Sequence, residues 1–186
     1  KLWYHRSFTV PEDWQGQRIF LHFGAVDWEA KVWVNDKEIG SHQGGYDSFS
    51  FDITDALTTD AEQKIVVSVI DPGDSGTQPR GKQVREPEGI WYTSTTGIWQ
   101  TVWLEPVPET HIATLKMETD IDVKTLNLQI SIQGNTESLT IKAVALENGN
   151  IVAEKSGNPN DVLNLVIPGV KLWSPDEPFL YDLKVT

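Results

Sequence analysis

The sequence predicts an all-β protein of two consecutive sandwich domains, and three observations carry that prediction. Helical periodicity is nearly absent from the 186 residues. In its place, apolar and polar residues alternate with period two in runs of four to nine, divided by Gly, Pro, Asn and Asp. The texture then changes after Pro108. Seven of the eight tryptophans lie before it, and the strands beyond it are richer in Val, Ile, Leu and Thr.

The elements follow in order. Tyr4, Arg6, Phe8 and Val10 alternate with His5, Ser7 and Thr9 until Pro11 stops the run. Residues 18–23 and 30–34 continue the pattern. Asn35-Asp36 is expected to turn the chain into residues 37–41, since both residue types tolerate the positive φ of a tight hairpin. Gly44-Gly45 reverses it again before residues 48–51. Residues 52–57 read as one short helical turn capped by Asp52 or Thr54. Residues 64–70 form the most apolar strand, expected to be central. From Asp71 to Gly97 periodicity dissolves into a long loop that holds Trp91 and Tyr92. Loops of that length are uncommon in compact domains, and tend to be functional or disordered. The aromatic pair argues for an ordered one. Residues 101–104 close the first domain, and Pro106-Val107-Pro108 reads as a stiff linker. Six further strands are expected at 112–118, 126–133, 139–146, 151–155, 162–166 and 180–185, with an Asn148-Gly149 hairpin turn. Short strands at this spacing fit an immunoglobulin-like sandwich without its disulfide.

Composition excludes several functions. The net charge is −12 and both halves are acidic, so neither offers the positive footprint that nucleic acid requires. No apolar stretch is long enough to span a bilayer as a helix. The chain opens mid-pattern, which reads as an excised or processed piece. Cysteine is absent, removing disulfides and thiolate chemistry while leaving the redox compartment open. A secreted or periplasmic location is favoured over the cytoplasm. His5, His22, His42 and His111 are scattered without metal-ligand spacing, and no nucleophile elbow or phosphate-binding glycine loop occurs. Glu86 and Glu88 are two residues apart, but neighbouring positions on one loop give neither the rigid support nor the unequal environments of a glycosidase pair. They read as solvated charges. The loop offers Asp71, Asp74, Gln78, Arg80, Lys82, Gln83 and Arg85 beside Trp91 and Tyr92. Planar hydrogen-bonding groups at the rim of an aromatic face suit a sugar; an ordinary polar surface loop is the plainer reading.

Five stretches carry a resemblance. They are Trp3-Tyr-His-Arg-Ser-Phe-Thr-Val-Pro11, Leu21 to Asn35, Ile39 to Thr54, Thr96-Gly-Ile-Trp-Gln-Thr-Val-Trp-Leu-Glu105, and Leu172-Trp-Ser-Pro-Asp-Glu-Pro-Phe-Leu-Tyr181. In that order they resemble the N-terminal region of family 2 glycoside hydrolases, which include β-galactosidases, β-glucuronidases and β-mannosidases. The resemblance implies a galactose-binding-like jelly-roll β-sandwich over 1–108, lacking its first strand or strands, then an immunoglobulin-like β-sandwich over 109–186. It implies a retaining exo-β-glycosidase whose two catalytic glutamates lie on a (β/α)8 barrel beyond residue 186, so that this chain holds no catalytic residue. Asp71 falls where galactosidase-like members reach the non-reducing sugar with an aspartate, and a carboxylate there can accept from two ring hydroxyls; the plainer reading is that Asp71 only starts the Asp-Pro turn after the strand. Arg80, Lys82, Gln83 and Trp91 complete the expected substrate-binding set. No cofactor and no metal are implied. The expected partners are a β-glycoside, met through the complete enzyme, and the chain's own barrel, with no nucleic acid and no membrane. The alternatives are a stand-alone carbohydrate-binding module and a structural pair of adhesion-type sandwiches.

Overall fold

The computed structural model describes residues 1–186 and divides into two compact units, Lys1–Pro108 and Glu109–Thr186. In the first, the strands are β1 (Leu2–Phe8), β2 (Arg18–Phe23), β3 (Val26–Asp27), β4 (Glu29–Val34), β5 (Lys37–Gln43), β6 (Phe49–Asp52), β7 (Gln63–Ile70), β8 (Gln83–Val84), β9 (Tyr92–Thr93), β10 (Gly97–Ile98) and β11 (Val102–Val107). A four-stranded antiparallel sheet runs β1-β7-β4-β5, and a three-stranded one runs β11-β2-β6. Alternation decides what each strand buries. On β2 Ile19, Leu21 and Phe23 turn inward while Arg18, Phe20 and His22 do not; on β4 the inward set is Ala30, Val32 and Val34. These residues meet Val67 and Val69 of β7 in one apolar core. β7 lies between β1 and β4, as its continuous apolar run predicts, with Val67 opposite both Tyr4 and Val32.

Local chemistry sets the turns. Asn35 and Asp36 have φ of 47° and 65°, the pair of positive values that a two-residue hairpin of matching twist requires. The expected helical turn is a 3-10 turn over Thr54–Ala56. The Asp52 carboxylate orders it, with Oδ1 accepting from the Thr54 amide at 3.0 Å and hydroxyl at 2.6 Å. Arg18 holds the other oxygen at 2.6 Å. The expected linker is not free chain: Pro106 and Val107 belong to β11 and lie opposite Ile19 and Arg18. Proline is tolerated there because β11 is an edge strand, where a missing N–H leaves no ladder bond unmade. The long loop is likewise not structureless, since β8 and β9 pair in parallel inside it.

The second unit contains β12 (His111–Asp120), β13 (Thr125–Gln133), β14 (Ile141–Glu147), β15 (Asn150–Gly157), β16 (Val162–Val166) and β17 (Asp182–Val185). Its two antiparallel sheets run β12-β13-β16 and β15-β14-β17. Leu128, Ile130, Ile141, Ala143, Leu163 and Leu165 are the centre of a separate apolar core. Asn148 and Gly149, with φ of 50° and 80°, make the β14–β15 hairpin. The protein is thus a jelly-roll β-sandwich followed by an immunoglobulin-like one.

Candidate functional site

One end of the first sandwich gathers polar and aromatic groups from four separate segments. Pairing of β10 with β3 sets Gly97 opposite Asp27 and Ile98 opposite Val26. The Trp99 indole N–H donates to the Gly45 carbonyl at 2.7 Å, tying the segment before β11 to the β5–β6 turn. Tyr46 packs edge-on against Trp99, with ring centroids 6.0 Å apart. Gln83 reaches in from the long loop, its Oε1 accepting from the Thr95 amide at 2.6 Å and hydroxyl at 3.0 Å. Together with Thr96 these residues line an open cleft of about 260 Å³.

Two glycines are needed for this approach. A Cβ on Gly45 would stand 2.8 Å from Asp27 Oδ1. Gly97 has φ +139°, and a Cβ there would run into the Tyr4 hydroxyl. That hydroxyl accepts a hydrogen bond from the Ile98 amide at 3.3 Å.

Asp71 follows β7 directly. Its Oδ1 accepts from the Gly73 amide and its Oδ2 from the Thr96 hydroxyl, each at 2.7 Å. It therefore stands one hydroxyl behind the cleft lining. Its charge is felt across the site: partial burial, and then the negative charge of Asp71, push the Asp27 carboxyl above its ordinary pKa of 3.8. The two carboxyls thus interact, with Asp27 at the cleft lining and Asp71 behind Thr96.

The rest of the loop braces itself. Arg85 pairs with Asp74 at 3.3 Å and donates to the Pro72 carbonyl and Ser75 hydroxyl, both at 3.0 Å. Gln78 donates to the Gly73 carbonyl at 2.7 Å. Of the five residues expected from the sequence, Gln83 lines the cleft and Asp71 lies behind it. Arg80 is directed to the loop's own backbone, donating to the Asp74 carbonyl at 3.0 Å. Lys82 joins β8 to β9 through its carbonyl, which accepts from the Tyr92 amide at 2.8 Å. Trp91 is exposed and is not part of the cleft lining. Sequence reasoning missed Asp27, Tyr46, Thr96 and Trp99 as site residues. All four fall inside the motif stretches, so the signal was present but was read for kinship rather than for position. No group of three or more His, Asp or Glu side chains is arranged to hold a metal ion.

Residues 1–108 match the family model described as "Glycosyl hydrolases family 2, sugar binding domain", and residues 100–186 match "Glycosyl hydrolases family 2". The chain belongs to glycosyl hydrolase family 2. Among curated family members, a β-galactosidase from Thermoanaerobacter pseudethanolicus is 29% identical over 98% of this chain. A β-glucuronidase from Paenibacillus borealis is 27% identical over 99% of it. The chain spans 25% and 33% of the length of these two relatives. In fold it is similar to the β-glucuronidase of Ruminococcus gnavus solved with N1-substituted uronic isofagomine. The TM-score is 0.76 at 20% identity, covering 98% of this chain and 33% of that one.

Proposed function

We propose that this chain is the non-catalytic N-terminal part of a retaining exo-β-glycosidase. In this reading the end of the first sandwich that holds Asp27 and Asp71 is one wall of the sugar pocket, and the chain supports a (β/α)8 catalytic domain. The cleft's incompleteness carries the reading. Ligand pockets usually enclose about 300–1,000 Å³ and cover most of their ligand, whereas this cleft is open and holds about 260 Å³. It supplies directional donors and acceptors without enclosure, as a wall awaiting its other half would.

In a retaining enzyme one carboxylate attacks the anomeric carbon while a second carboxylic acid protonates the leaving oxygen. This wall would hold the non-reducing sugar for that step. Asp71, fixed by Thr96 and Gly73, and Asp27 accept from hydroxyls; Trp99 and Tyr46 border the ring. Arg80, Lys82 and Trp91 lie on the loop that would approach the barrel. The test is the hydrolysis of nitrophenyl β-glycosides by this chain and by a longer enzyme that contains it. The chain alone is expected to be inactive. In the longer enzyme, Asp71→Ala should lower kcat/KM by at least about a hundredfold, the loss of a charged hydrogen bond of about 3 kcal/mol. Enzyme-like turnover by the chain alone would overturn the reading.

A further inference from the structure

The opposite end of the first sandwich holds a larger concavity that the proposed function does not use. The β1–β2 connection and the β6–β7 connection border a groove of about 650 Å³, well inside the usual range for small-ligand sites of about 300–1,000 Å³. Its apolar part is the partly exposed Trp14 indole with Val10 and Leu57, all three seated on the sandwich core. Its polar rim includes Glu12, Gln17 and Asp60. At Gly16, with φ +77°, nothing stands within 4 Å of where a Cβ would lie, so the rim is low beside Trp14.

The groove is preformed because its outer lip hangs from two side-chain amides. Gln63 is 2% exposed. Its Oε1 accepts from Asn35 Nδ2 at 2.6 Å and from the Thr58 amide at 2.9 Å. Its Nε2 donates to the Thr58 and Asp60 carbonyls. Asn35 Nδ2 also donates to the Ala56 carbonyl at 2.9 Å. Residues 56–60 are thereby fixed without a ligand, and little ordering entropy is left to oppose binding.

Charge narrows the occupant. Glu12 and Asp60 line the groove and no Lys, Arg or His does, so an anionic ligand would be repelled and left without a counter-charge. A partly exposed indole bordered by carboxylates and amides fits a neutral pyranose, whose C–H groups pack on the aromatic surface while its hydroxyls donate to the rim.

We propose that this groove is a second saccharide site, selective for neutral over uronic sugars, at the end of the sandwich remote from Asp71. It holds a carbohydrate chain without cleaving it. The test is titration of the 186-residue chain with neutral gluco-, xylo- and galacto-oligosaccharides and with oligouronides, read by calorimetry and tryptophan fluorescence. Saturable binding of at least one neutral series is expected, with no measurable binding of the uronides. Thr59→Arg, which puts a long side chain from an exposed position into the groove, should weaken binding at least tenfold, and Trp14→Phe should weaken it less. Circular dichroism verifies that each variant is folded. Asp71→Asn should leave this binding unchanged, so the result does not depend on the pocket-wall reading. The proposal is overturned by no saturable binding of any neutral oligosaccharide, by equal binding of uronides, or by binding that survives Thr59→Arg and disappears with Asp71→Asn.

Discussion

The two sandwiches use the same sheet chemistry for different ends. The second joins β14 to β15 by a two-residue turn, and its Gly149 stands in open space, chosen for backbone conformation alone. The first breaks its sheet order with the stretch from Asp71 to Gly97, and its Gly45 and Gly97 are pressed against Asp27 and Tyr4. Gly149 marks a bend, whereas Gly45 and Gly97 mark close approaches between segments that border the cleft. The lesson is that irregularity is concentrated where groups from distant segments converge, while regular strand pairing carries the rest of the fold.

The comparison can be broken most directly at the cores. Phe23 and Leu128 are both fully buried, one in each core. Phe23→Ala should cost about 3–5 kcal/mol and Leu128→Ala about 2–5 kcal/mol in chemical denaturation, each acting on its own unit. Identical broadening of both units by either change would show that the cores are not separate.

Next in size is the contrast of glycines. Gly97→Ala meets both an unfavourable φ and the Tyr4 hydroxyl, and should cost about 3 kcal/mol by thermal melting. Gly149→Ala meets only the unfavourable φ and should cost about 1 kcal/mol. Equal costs would remove the distinction between approach and bend.

Acid titration sharpens the contrast within the first unit. Asp52 is partly buried, which opposes its ionisation, but the Thr54 bonds and Arg18 outweigh this and hold its carboxyl below 3.8. Its contribution is present above that value and is lost as pH falls through the lowered one. Asp27 runs the other way. Its carboxyl is raised, so its protonation favours the fold below 3.8, and that advantage disappears as pH rises through the raised value. Asp27→Asn should therefore raise the melting temperature near neutrality, and Asp52→Asn should lower it there, each change shrinking on acidification. The smallest effect belongs to the exposed pair Lys116–Glu118 of the second unit, where Lys116→Ala should change stability by less than about 0.5 kcal/mol.

The fold was legible wherever one face of a strand is buried, because period-two alternation then writes the face into the sequence. Arg18–Phe23, Glu29–Val34 and Val162–Val166 are read almost residue for residue. The two-residue ladders β3, β8, β9 and β10 escaped, since two residues carry no period. Pro106 misled because its ring suggests a linker, and only its place on a sheet edge makes it a strand residue. The site was less legible for a physical reason. Asp27, Tyr46 and Thr96 are brought together by β-sheet register across as many as seventy residues of sequence, and no local pattern encodes that. Asp71 was selected by the family resemblance and Gln83 from the loop's local mixture of polar groups; the structure puts Gln83 in the cleft lining and Asp71 one hydroxyl behind it. Arg80 donates to its own loop, and composition cannot tell a side chain that faces outward from one held in that way.

β7 has a consequence of its own. It begins at Gln63, which suspends the lip of the far groove, and ends just before Asp71, which backs the cleft through Thr96. At about 3.3 Å per residue the strand is a rod of roughly 23 Å, clamped on both flanks by β1 and β4. It works as a fixed gauge between the two ends. A substitution at either terminus acts on one end while the spacing to the other is held, so each end can diverge in sequence without resetting its counterpart.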